Sequence, residues 1–136
     1  RRTHRWNPLR YVSDDPAFRV SDLMSIAAML YPDGADEQKF WVSQARNAFM
    51  AFAVYLFDHY AEGLAQGFPF SRRPTLGAVY RLSSGDGSDL KPYLKKLASR
   101  SFLSDPGKQA FANLLSQADE TFASIMGTLK EPLNAW

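Results

Sequence analysis

The longest apolar run in the chain covers residues 48–57 (AFMAFAVYLF), where the only polar side-chain group is the hydroxyl of Tyr55. This run lies within residues 36–61, which contain neither glycine nor proline. A helix that is apolar on nearly every side has to be surrounded by other elements. The sequence therefore predicts an all-α domain, a bundle of about five helices around one central hydrophobic helix.

Four further helices are predicted from the helical spacing of apolar residues between turn and capping residues. The first begins at Asp14-Asp15-Pro16 and ends near Tyr31, because residues 32–34 (PDG) are typical of a turn. Asp36 is expected to cap the central helix. The remaining helices are predicted over residues 76–82 after a Thr75 cap, over residues 90–99, and from a Ser104 cap to a limit at Pro132.

Antiparallel packing of the first, central and last helices is the simplest arrangement of these elements. We expect it to place the turns at residues 32–35 and 101–105 at one end of the bundle, with both chain termini at the other end. Residues 1–13 are predicted to form an extended lead-in, because Asn7 precedes Pro8 and is disfavoured in a helix.

Composition supports one folded domain and excludes several classes of protein. The chain has 136 residues, of which 46% are hydrophobic and 14% aromatic, which is enough for a single core and argues against disorder. The absence of cysteine excludes a disulfide framework and a thiolate metal site. The net charge of +2 is too small to indicate nucleic-acid binding by itself. The apolar run is shorter than the roughly 20 residues that a membrane-spanning helix needs.

No arrangement of residues indicates catalysis. Gly107-Lys108 is followed by Gln109 and has no earlier glycine at the spacing of a Walker A motif. His59 and Glu62 lie three residues apart on the central helix, but a metal site usually needs about four convergent ligands. We therefore expect no enzymatic activity, no cofactor and no bound metal.

Two groups of residues are candidates for binding a protein partner. The first is an acidic group that suits a basic peptide, although its members are also typical turn and cap residues. The second combines aromatic residues with arginines, a pairing that is favoured at protein interfaces. The acidic group is Asp33, Asp36 and Glu37, and the aromatic and arginine group is Phe68, Phe70, Arg72 and Arg73.

A third candidate is a basic strip on and just after the fourth predicted helix. It consists of Lys91, Lys95, Lys96 and Arg100, in which Lys91 and Lys95, and likewise Lys96 and Arg100, are four residues apart. Such a strip suits contacts with nucleic-acid phosphates, and it is also what an ordinary solvated helix face contains.

Arg5-Trp6-Asn7-Pro8-Leu9 resembles a segment that follows an early strand in the nucleotide-binding domain of type IV secretion coupling proteins. Similar short segments follow in the family's order, so that the resemblance covers the whole chain. They are Asp22-Leu23, Ile26-Ala27, Leu30-Tyr31-Pro32, Phe40-Trp41, Ala45-Arg46-Asn47, Tyr55-Leu56, residues 75–82 (TLGAVYRL), Thr121-Phe122, Ser124-Ile125, Leu133 and Trp136.

The resemblance implies that residues 1–136 form the all-α domain inserted into a hexameric, membrane-anchored ATPase of conjugation and effector secretion. It implies a place at the cytoplasmic face of the bacterial inner membrane, without direct membrane contact by this domain. It also implies recognition of transfer substrates, either relaxases with their DNA or effector proteins with signal regions. The ATP site of the family lies elsewhere in the parent protein.

Three functional hypotheses follow, in this order. The first is a cargo receptor that binds effector or relaxase signal regions for delivery to the secretion channel. The second is a DNA-contacting module that uses the basic strip. The third is a structural insert that tunes assembly or turnover of the rest of the coupling ATPase.

Overall fold

The computed structural model describes residues 7–67, 73–87 and 89–134. In these ranges the chain forms six α-helices and two short 3₁₀ helices and contains no strand, which confirms the predicted all-α bundle. The α-helices are α1 (Pro16–Leu30), α2 (Lys39–Ala65), α3 (Leu76–Ser83), α4 (Leu90–Ala98), α5 (Asp105–Leu115) and α6 (Asp119–Leu133). The 3₁₀ helices are Pro8–Tyr11 and Asp36–Gln38.

The predicted central helix is α2, and its apolar run is covered on every side. All side chains of residues 48–57 are buried except those of Met50 and Leu56, which are partly buried. Helices α1, α3, α5 and α6 pack directly against α2, and α4 packs on α5. Phe52 and Phe111 meet edge to face in this core, with their ring centroids 5.7 Å apart.

Helices α1 and α5 each run antiparallel to α2. Ser104 before α5 donates its backbone N–H to Asp58 over 2.8 Å, while the Asn47 side chain donates to the Ala110 carbonyl over 3.1 Å. On the other flank, Arg46 donates to the Tyr31 carbonyl at the end of α1. The turns at residues 32–35 and 101–105 therefore lie at opposite ends of α2. Our expectation that they share one end is wrong, because an antiparallel α5 must begin where α2 ends.

The predicted last helix is divided into α5 and α6, so the bundle has one helix more than expected. Helix α5 ends at Leu115, and the Ser116 hydroxyl and the Gln117 side-chain amide both donate hydrogen bonds to the Asn113 carbonyl in its last turn. Asp119 and Glu120 then occupy the first turn of α6, where carboxylates are favoured by the helix dipole.

Of the three predicted caps, Thr75 is observed, Ser104 occupies the N-cap position of α5 without a side-chain capping hydrogen bond, and Asp36 is not a cap. Asp15 accepts a hydrogen bond from the Ala17 N–H at 2.9 Å at the start of α1, and Thr75 accepts one from Ala78 at 3.0 Å at the start of α3. Asp36 does not cap α2. Residues 36–38 already turn as a 3₁₀ helix, so α2 begins three residues later, and the Asp36 carboxylate pairs with Lys39 instead.

The lead-in also departs from a fully extended path, because Pro8–Tyr11 forms a 3₁₀ helix whose cap, Asn7, accepts from the Leu9 N–H. Leu9 and Val12 bury their side chains in the core from this segment. In the described ranges, no helix combines the length and apolarity needed to cross a membrane.

We predict that Phe111→Ala lowers the free energy of unfolding by about 3–5 kcal/mol, because Phe111 is fully buried against α2 and its loss leaves a cavity. Phe18→Ala is the control, since Phe18 is 62% exposed and its truncation should change stability by less than about 0.5 kcal/mol. Urea denaturation of both variants measures the difference. Equal effects of the two substitutions would contradict this assignment of the core.

Candidate interaction surfaces

The acidic corner, which we define as Asp33, Asp36 and Glu37, lies in the turn from α1 to α2. Asp33 is 3.3 Å from the Arg46 guanidinium and Asp36 is 3.2 Å from the Lys39 ammonium, yet the two carboxylate side chains are 89% and 91% exposed. Ion pairs this exposed are weak, so both carboxylates stay accessible to a partner. The structure thus brings the three predicted acidic residues together on one open turn.

An apolar cavity of about 460 Å³, the corner pocket, opens beside the acidic corner. It is formed where the end of α1, the start of α2 and the end of α6 meet. Its lining consists of Leu30, Tyr31, Pro32, Val42, Thr128, Glu131 and Pro132. The pocket therefore combines an apolar interior with the exposed Glu131 at its edge and with Asp33 next to its Pro32 wall.

Arg73 does not lie free for a partner. Its guanidinium is 2.8 Å from the Asp14 carboxylate, donates to the Val12 carbonyl, and stacks over the Phe57 ring at 5.6 Å. Arg73 thereby connects the segment before α1 to α2. The other three residues of this predicted group, Phe68, Phe70 and Arg72, lie outside the described residues.

The basic strip is divided between internal contacts and open solvent. The Lys91 ammonium is 2.5 Å from the Gln117 carbonyl and 3.0 Å from the Asp119 carboxylate, and it lies over the Phe122 ring. Lys91 therefore connects α4 to α6.

The Arg100 guanidinium stacks on Phe102 at 4.9 Å and donates to the Tyr55 hydroxyl at 3.4 Å. Lys95 and Lys96 are exposed, and neither forms an ion pair within the described part of the chain. Of the four predicted basic residues, these two are exposed and have neither an ion pair nor a ring contact among the described residues.

A groove between α1 and α5, which we call the α1–α5 groove, was not predicted from the sequence. It comprises two adjoining cavities of about 480 and 510 Å³ that share Val20 of α1 and Pro106 of α5. Helix α2 forms its floor. Met24 lines this groove and is 58% exposed, which the helical spacing of apolar residues in α1 does not indicate.

A buried charge pair holds one end of this groove. The Arg19 guanidinium lies 3.5 Å from the Asp58 carboxylate, and each side chain is only 10% exposed. Asp58 also accepts the Ser104 N–H, so one carboxylate connects α1, α2 and the start of α5. Removing one partner from such a pair leaves an uncompensated charge, which makes the pair important for geometry.

His59 and Glu62 have neighbours other than a metal. The His59 ring stacks on Tyr55 and meets Phe102 edge to face. Glu62 accepts a hydrogen bond from the Gln66 amide at 2.6 Å. Across the described ranges, no group of three potential metal ligands converges.

We predict that Arg73→Met raises the pKa of Asp14, which the Arg73 hydrogen bond and charge hold below the usual 3.8. Because the folded pKa is lowered, this pair stabilises the fold above the unfolded pKa, and the contribution is lost as pH falls through the folded pKa. The loss of unfolding free energy caused by Arg73→Met should therefore be smaller in acid than at neutral pH.

Carboxyl-carbon NMR titration measures the pKa, and urea denaturation at neutral and acidic pH measures the stability. Arg81→Met is the control, because Arg81 is exposed on α3. An Asp14 pKa unchanged by Arg73→Met would refute the pairing.

Residues 1–136 match the family described as type IV secretory system conjugative DNA transfer. No match was found among curated proteins or among solved structures. The family match covers the same full length as the resemblance that begins at Arg5-Trp6-Asn7-Pro8-Leu9. The chain therefore belongs to the type IV secretory system conjugative DNA transfer family.

Proposed function

We propose that this domain is a cargo receptor that binds signal regions of relaxases or secreted effector proteins for delivery to a type IV secretion channel. One observation carries the proposal. The exposed Asp33 of the acidic corner follows Pro32, which lines the mostly apolar corner pocket, whereas Lys91 of the basic strip is engaged inside the fold. Accessible negative charge next to an apolar cavity suits a basic protein segment, whereas it repels the phosphates of a nucleic acid.

The corner provides the two elements that recognition of a peptide needs. Exposed carboxylates attract a basic segment and select against acidic ones. The pocket buries one apolar side chain, and full burial of such a side chain contributes about 1.5–3 kcal/mol. A single site of this kind binds weakly. Repetition around a hexamer, which the family resemblance implies, raises the avidity without new contacts.

The domain acts by tethering rather than by catalysis in this proposal. It has no enzymatic activity of its own, and ATP hydrolysis belongs to the rest of the coupling ATPase. It displays its loops at the cytoplasmic face of the inner membrane without touching the bilayer. Binding there raises the local concentration of cargo near the pore.

A DNA-contacting module is the second candidate, and the exposed Lys95 and Lys96 favour it. Together with Arg100 they offer at most three cations to phosphates. Each phosphate contact on duplex DNA adds about −0.9 to the slope of log K against log salt, so the salt dependence would stay modest.

We predict that combining Asp33→Asn, Asp36→Asn and Glu37→Gln weakens binding of a cognate substrate's C-terminal region about tenfold at low salt, since each exposed charge contributes about 0.5 kcal/mol. Isothermal titration calorimetry measures the affinity. Lys95→Gln with Lys96→Gln is the control and should leave protein binding unchanged.

Two results would contradict the receptor. One is the absence of heat and of amide shift changes with any cognate relaxase or effector region. The other is tight binding of DNA that weakens with salt and is lost when Lys95 and Lys96 are replaced.

A further inference from the structure

The α1–α5 groove has the architecture of a helical bundle from which one helix is missing. Helices α1 and α5 are parallel to each other and antiparallel to the α2 floor. The apolar part of the lining includes Val20, Met24 and Ala28 on α1, and Pro106 and Ala110 on α5. Most of these side chains are small, so an incoming helix approaches closely. The lining also contains polar and charged side chains, which include Asp14, Arg19, Asp58 and Glu62 in one cavity and Arg46, Asn47 and Gln109 in the other.

The length of the groove sets the size of its occupant. Its floor runs from Arg46 to Glu62, which at 1.5 Å per residue corresponds to about 24 Å, or between four and five helical turns. Both walls are helices, whose backbone groups are already paired, so they offer no edge to an extended peptide. A helix satisfies its own backbone and needs only an apolar surface. The groove therefore fits an amphipathic helix.

The charges at one end give this occupant a direction. The Glu62 carboxylate accepts only the neutral Gln66 amide and has no cation partner among the described residues. The N-terminal ends of α1 and α5 lie at this same end, because Arg19 and Ser104 both contact Asp58. A helix that places its C-terminal end here packs antiparallel to both walls, and a cation in its last turn meets Glu62.

We propose that the α1–α5 groove binds an amphipathic helix of a protein cargo, antiparallel to α1 and α5, with a Lys or Arg of its last turn beside Glu62. The inference rests on the proposed function only in taking the occupant to be cargo. The groove adjoins the acidic corner at Arg46, which lines the groove and pairs with Asp33, so substitutions at Asp36 and Glu37 are the ones that test the two sites separately.

The probe is a fluorescein-labelled synthetic peptide of about 18 residues, with Leu at i, i+3, i+4 and i+7 spacing, Glu in its first turn and Lys in its last. We expect Met24→Glu to weaken its binding to the full chain at least about tenfold, because a carboxylate then enters the apolar groove.

Met29→Glu is the matched control. Met29 lies on the same helix with a similar exposure of 52%, against 58% for Met24, but it does not line the groove. We expect it to change the affinity by less than about twofold. Circular dichroism melting of both variants establishes that each is folded, since both positions are exposed.

The direction is tested at Glu62. Glu62→Gln should weaken the probe about twofold to threefold at low salt, whereas Glu120→Gln, an exposed substitution in the first turn of α6, should not. A second peptide with the two charged turns exchanged should bind more weakly than the first. Equal affinity of the two peptides would overturn the assigned direction.

Three results would overturn the site itself. The first is that the probe does not bind, and the second is that Met24→Glu and Met29→Glu have equal effects. The third is a concentration-dependent dimer that Met24→Glu abolishes, because a second copy of the chain would then be the occupant. Replacing Asp36 and Glu37 of the acidic corner, neither of which lines the groove, should leave probe binding unchanged. If cognate cargo binds the Met24→Glu variant with the same affinity as the wild type, the groove proposal is wrong while the proposed receptor function is unaffected.

Discussion

The burial of α2 on all sides is the constraint on which the rest of the fold depends. Residues 48–57 present apolar side chains in every direction, so no face of this helix is available to solvent without a large hydrophobic cost. Four helices cover it. The directions of α1 and α5 follow from polar contacts at its two ends: Arg46 with the end of α1, and Asp58 with the starts of α1 and α5. A core this tightly enclosed leaves function to the surface.

The surface, in turn, is shaped by which charges the fold uses internally. Arg73 with Asp14 and Lys91 with Asp119 connect separate segments, and each cation also lies over an aromatic ring of the core. Arg73 and Lys91 were both predicted from the sequence to bind a partner, but these internal contacts occupy them. Lys95 and Lys96 stay open on α4, whereas the corner between α1 and α2 is acidic and much of the α1–α5 groove is apolar. This distribution of charge is why protein cargo is the better proposal than DNA.

The sequence predicts local features well because their causes are local. The apolar run of α2 and the caps at Asp15 and Thr75 each depend on a few neighbouring residues. The break between α5 and α6 was missed because apolar spacing continues across it without glycine or proline, although Asp119-Glu120 is an ordinary helix start.

Features that join distant parts of the chain were not predictable in the same way. The pairing of Arg19 with Asp58 and the width of the α1–α5 groove depend on how helices approach one another, which no local pattern encodes. Asp33, Asp36 and Glu37 do lie together as expected, because they belong to one turn.

Amide hydrogen exchange, measured with and without bound cognate cargo, tests most directly whether α2 is a fixed scaffold with function confined to its covering. The account predicts that the amides of residues 48–57 exchange only through global unfolding in both states, while cargo adds protection in the covering helices and the α1–α2 turn. Exchange of these amides by local opening, or cargo protection centred on them, would contradict it.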